Sequence, residues 1–153
     1  MQTLRRRVSH EDSAAVGGSG RPVLLVTLDV PYAEEAIAFA VDSAVENGQP
    51  LLLVNVAEVL PTAYSLLGYG YVEREDLQEA LFEPVRLACS LAVEVERLRI
   101  CSPHPVDALL EVVAEREPAL LVLGPDRAQL SRRRYRKVER AVRERTSCLV
   151  WSP

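Results

Sequence analysis

The sequence predicts a three-layer α/β/α sandwich around a five-stranded parallel sheet. Two observations carry that prediction. Short, nearly continuous apolar runs of strand length recur five times between Pro22 and Trp151, and stretches with helical spacing of apolar residues separate them. A run that is apolar on both faces suits a strand covered on both sides, which is how parallel sheets are built. Strands alternating with helices imply right-handed crossovers and helices on both faces of the sheet. The doubly wound order 3-2-1-4-5 sets the first and fourth strands at the centre. Ligands in such sheets bind beyond the carboxyl ends of the strands where the winding reverses, which here falls between Asp29 and Gly124.

Residues 1–20 end in Ala-Ala-Val-Gly-Gly-Ser-Gly and have too few large apolar groups to offset the entropy of ordering, so they read as a flexible tail ahead of a domain over 21–153. Pro22 to Leu28 is the first strand. Ala33, Ile37, Val41, Ala44 and Val45 then form one helical stripe, and Asn47-Gly48 followed by Pro50 ends it. Leu51 to Val56 is the second strand. A Gly- and Tyr-rich loop over 61–71 fits neither period and is long enough to be functional.

From Glu75 the spacing predicts a long helix reaching about Arg97, with Pro84 set to kink or restart it because proline lacks the helical donor. Leu98 to Cys101 reads as a weak third strand. Val106 to Glu115 is a short helix that Pro118 closes off, and Ala119 to Leu123 is the fourth strand, ending at Gly124. Ser131 can cap a last helix to Arg145 with Tyr135, Val138, Ala141 and Val142 inward, before Cys148 to Trp151 makes the fifth strand.

At 153 residues, 48% hydrophobic and 26% charged, the composition is that of one globular domain rather than a disordered chain, and with 5% aromatics its core must be aliphatic. Arg5, Arg6 and Arg7 are followed by His10, Glu11 and Asp12 instead of a signal-length apolar run, and no segment holds about 18 uninterrupted apolar residues. A cytoplasmic location without a membrane span is expected. Cys89, Cys101 and Cys148 are widely spaced in apolar surroundings, which predicts buried reduced thiols instead of disulfides or a metal site. His10 and His104 have no ligand-spaced partners, so no metal is expected.

The chain resembles the universal stress protein family from about Arg21 to Trp151. Val26-Thr27-Leu28-Asp29 looks like that family's first strand ending in an aspartate, and Leu53-Val54-Asn55-Val56 looks like its second. Glu115 to Gly124 resembles the approach to the fourth strand with the first motif glycine, and Thr146 to Trp151 the short final strand. The resemblance implies the adenine nucleotide alpha hydrolase-like version of the α/β/α sandwich. It also implies a nucleotide site drawn from Thr27, Asp29, Val56, Leu123, Gly124 and Arg127, with Asp29 on the adenosine and a backbone group near Val56 on the adenine edge.

ATP-binding members of that family carry Gly, two residues, Gly, nine residues, then Gly with Ser or Thr. Glycines serve there because backbone N–H groups must approach and encircle the phosphates. Only Gly124 remains here, with Arg127, Lys137 and Val138 at the other positions. Gly124 then reads as a turn residue, Asp29 as either a ribose ligand or a helix cap, and Arg127 as either an anion grip or a solvated arginine.

Between Ser131 and Arg145 stand eight basic residues against Glu139 and Glu144, which leaves 10 basic and 20 acidic residues elsewhere from totals of 18 and 22. A face paired with acidic neighbours is the expectation, and nucleic acid is not, because no aromatic stacking pattern accompanies the charge. Neither a Ser-Gly-Gly loop, a His-x-Gly-His signature nor a Gly-x-Ser-x-Gly elbow occurs, so catalysis is not expected. The reading is a non-enzymatic, homodimeric binding or signalling module of the stress response, with an unknown protein partner or small ligand and no cofactor. The alternative is a divergent ATP or AMP binder with weak hydrolysis. As the resemblance implies, Leu149, Val150 and Trp151 on the edge strand would form the twofold interface.

Overall fold

The computed structural model describes residues 20–59 and 74–153, so the tail and the Gly- and Tyr-rich loop lie outside the described residues, save for Gly20. The elements run β1 Val23–Thr27, α1 Glu34–Asn47, β2 Leu51–Glu58, α2 Glu75–Ser90, β3 Val95–Ser102, α3 Pro105–Arg116, β4 Leu120–Leu123, a 3-10 turn Arg127–Gln129, α4 Arg132–Arg145 and β5 Leu149–Trp151. All strand pairs are parallel and the order is β3-β2-β1-β4-β5, as the sequence implies.

Every residue of β1 and β4 is buried, which is what continuous apolar runs at the centre of a sheet require. Alternate side chains point to opposite faces and build two cores. Val23, Leu25, Leu51 and Leu53 meet Ile37, Ala40 and Val41 of α1 and Leu77 and Leu81 of α2. Leu24, Val26, Val54 and Leu121 meet Leu109 and Val113 of α3 and Tyr135, Val138 and Val142 of α4.

Helix α1 ends where the sequence says, on Gly48 at φ 60, with the Gln49 N–H donating to the Ala44 carbonyl. Helix α2 runs unbroken through a buried Pro84 but stops at Ser90, seven residues short of the expected end. Ala92 at φ 57 turns the chain, and the Val93 N–H donates to the Ala88 carbonyl, a left-handed cap made without glycine. The third strand is correspondingly longer than expected. Its exposed Arg97, Arg99 and Cys101 alternate with half-buried Leu98 and Ile100, the pattern of a half-covered edge.

That alternation also corrects the cysteine expectation. Cys101 falls on the exposed phase of β3 and Cys89 on the solvent side of α2, so both are exposed, and only Cys148 is half-buried. Val45 is likewise exposed instead of joining the α1 stripe, which runs through Ala36 and Ala40. Among the described residues no helix is long and apolar enough to cross a membrane, and no cluster of His, Cys, Asp or Glu could hold a metal ion.

Candidate functional site

The carboxyl ends of β1, β2 and β4 bring the expected residues to one edge of the sheet. Asp29 follows β1 in the left-handed region at φ 62, a conformation that Asp tolerates better than most residues. Its N–H donates to the Asn55 Oδ1 at 2.8 Å, and Asn55, in the middle of β2, is 5% exposed. Asn55 was not singled out in the sequence. A lone amide inside the apolar run Leu53 to Val56 was the available signal, because a buried side-chain amide must find partners. Asp29 does not cap α1, whose N-cap is Ala33.

Thr27 is fully buried, and its hydroxyl donates to the Val30 carbonyl at 2.6 Å, so this side chain holds the turn. The side chains of Val56 and Leu123 lie in the α3/α4 core, which leaves only their backbone groups to face the sheet edge. Tyr32 is 7% exposed and its phenol donates to the Val54 carbonyl at 3.4 Å, so its ring crosses from the β1 loop to β2.

Gly124 is fixed by packing. A Cβ there would overlap the Ala36 Cβ of α1 and stand 3.0 Å from Leu25 Cδ1. Its N–H donates to the Val26 carbonyl and its carbonyl accepts from the Ala33 N–H, both at 2.9 Å. With the Asp126 N–H donating to the Pro31 carbonyl at 2.8 Å, the loops after β1 and β4 are laced together. Arg127 is exposed, but its guanidinium lies 4.5 Å from the Tyr135 ring centroid and donates to the Pro153 carbonyl at 3.3 Å. Lys137 and Val138 are well inside α4, and Val138 is 4% exposed in the core.

A family profile described as the universal stress protein family matches residues 20–151. The chain belongs to the universal stress protein family. No curated protein matches the sequence. Solved structures of the family share the fold at low identity. The universal stress protein from Archaeoglobus fulgidus in complex with dAMP aligns at TM-score 0.61 and 20% identity, covering 87% of this chain and 97% of that one. A family protein from Burkholderia pseudomallei gives 0.60 and 19%, over 90% and 98% of the two chains. A family protein from Arabidopsis thaliana with AMP bound gives 0.55 and 12%, over 87% and 90%.

Two clefts lie away from the Asp29 edge. One of about 370 Å³, at the amino ends of β1, β4 and β5, is lined by Arg21, Glu117, Ala119, Arg145 and Cys148 among others. The second is a shallow, open depression on the surface of α4 between Arg136, Lys137, Arg140, Ala141, Glu144 and Arg145. At the edge of β5, Leu149 is 71% exposed, whereas Trp151 stacks on Phe39 of α1 with ring centroids 4.1 Å apart. Val150 packs against the α3/α4 core, and its carbonyl accepts from Arg143 at 3.3 Å.

Proposed function

We propose that this universal stress protein is a non-enzymatic, dimeric binding or signalling module of the cytoplasmic stress response in which the phosphate end of the nucleotide site has been given up. The observation that carries this reading is the state of the four motif positions. A phosphate cradle needs backbone N–H groups free of side chains and of other partners. Gly124 has its N–H engaged by Val26, Arg127 is folded onto Tyr135, and Lys137 and Val138 are inside a helix. Gly124, Lys137 and Val138 present no free backbone donor in a loop, and Arg127, at the start of the 3-10 turn, puts a long side chain where the cradle needs none.

A second reading keeps part of the site. Asp29 remains at the sheet edge with its backbone held by Asn55, and structural neighbours were solved with dAMP or AMP. An adenine nucleotide held through its nucleoside, near Asp29 and the backbone of Val56, would then be the ligand, with Arg127 or Arg132 supplying the phosphate contact. Titration calorimetry with AMP and with ATP plus magnesium separates the two, together with a phosphate-release assay. The first reading expects no tight ATP binding and no release. The second expects AMP and ATP to bind alike, and turnover of ATP would end the non-enzymatic reading.

A further inference from the structure

We propose that the outer face of α4 is a docking surface for the phosphate backbone of nucleic acid, read without regard to base sequence. Of the eight basic residues on this helix, Arg140 pairs with Glu144, Arg143 with Glu139 and Arg145 with Asp107. Arg132, Arg133, Arg134, Arg136 and Lys137 have no ion-pair partner among the described residues, and all but the half-buried Arg134 are exposed. The expectation of a face neutralised by acidic neighbours therefore holds only for the second half of the helix.

The unpaired charges stand where helix electrostatics opposes them. Arg132, Arg133 and Arg134 occupy the first turn, with no acidic residue there, so they repel both the positive end of the helix dipole and one another. Arg132 and Arg136, and Arg133 and Lys137, are further like-charged pairs at four-residue spacing, which also destabilise a helix. Ser131 offsets part of this by accepting from the Arg134 N–H at 3.2 Å. A surface that is unfavourable in the free protein becomes favourable when an anion lies on it.

Three features select the partner. The side chains of Tyr135, Val138 and Val142 are buried in the core, so the helix has no apolar face left to insert into a lipid surface. The exposed stretch has no aromatic or aliphatic anchor of the kind that dominates protein interfaces. Cations repeat along it one helical turn apart, at Arg132, Arg136 and Arg140 and at Arg133 and Lys137, which suits a regularly charged polymer. The chain carries +6 on residues 131–145 and −10 elsewhere, summing to −4, so this face is the one turned toward a polyanion.

Fluorescence anisotropy of the full chain with labelled duplexes of about 20 base pairs tests the proposal. Two unrelated sequences are expected to bind equally, and four or five phosphate contacts give a log–log salt slope of about −4, roughly a 250-fold weakening between 50 and 200 mM salt. Combining Arg132→Glu, Arg136→Glu and Lys137→Glu should abolish binding and leave the thermal midpoint unchanged or higher, because a first-turn carboxylate complements the dipole. The corresponding triple Gln variant should bind with intermediate strength. Binding that survives either triple variant at full strength overturns the proposal. So does absence of binding at low salt, or association with phosphatidylserine vesicles but not with duplex.

Discussion

Gly124 keeps its hydrogen side chain because helix α1 crosses β4 too closely for anything larger. Gly124→Ala places a methyl against Ala36 and Leu25. Overpacking of this kind costs about 1–3 kcal/mol, and the matching Ala36→Gly change should recover part of it in a double-mutant cycle, at the helix-propensity penalty of glycine. A denaturant series measures both. If Gly124→Ala were neutral alone, the packing account of this glycine would fail. Asn55 makes a second test at this scale: Asn55→Ala removes the side-chain acceptor of the N–H of Asp29, itself in the left-handed region, at about 1–3 kcal/mol. Asp29 and Gly124 were legible in the sequence as strand-end residues. Why they are needed was not, since the Ala36 contact and the Asn55 bond join residues far apart in the chain, which local patterns do not record.

The strands that the sequence marked best are those whose environment is simplest. Val23 to Thr27 and Leu120 to Leu123 are covered on both sides and read as unbroken apolar runs. Residues 91–98 misled because Leu91, Ala92, Val95 and Leu98 satisfy helical spacing, whereas the strand signal is broken: Val93 and Val95 alternate in one phase and Leu98 and Ile100 in the other. The decisive event, a left-handed Ala92, has no glycine to announce it. The helical placement of Lys137 and Val138 was implicit in the inward stripe of α4, and it changes how the motif is best probed. Restoring glycine and serine there would weaken α4 and open the core, so the loop cannot be rebuilt by point changes alone. At the β5 edge, Trp151 is partly engaged by Phe39 and Val150 by the core, which leaves Leu149 as the exposed apolar group. Leu149→Lys should therefore convert a dimer to monomers that still unfold cooperatively, with a midpoint lowered only by the lost association, as read by light scattering and thermal unfolding. A wild-type chain that is monomeric at tens of micromolar would instead mean that this edge is not an interface.

Over the whole molecule, the chain has the universal stress protein fold, with the sheet order β3-β2-β1-β4-β5, and its positive charge is gathered on α4. Domain-scale thermodynamics makes the consequence measurable, because a ligand that binds only the folded state raises stability by RT ln(1 + [L]/Kd). Thermal unfolding with and without millimolar ATP and magnesium is the most direct test of the central claim. If the phosphate cradle has been given up, as proposed, the midpoint should move by less than about 1 °C; a ligand at a hundred times its Kd would add about 2.7 kcal/mol, roughly 5–10 °C for a domain of this size, and a rise of that order would contradict the account.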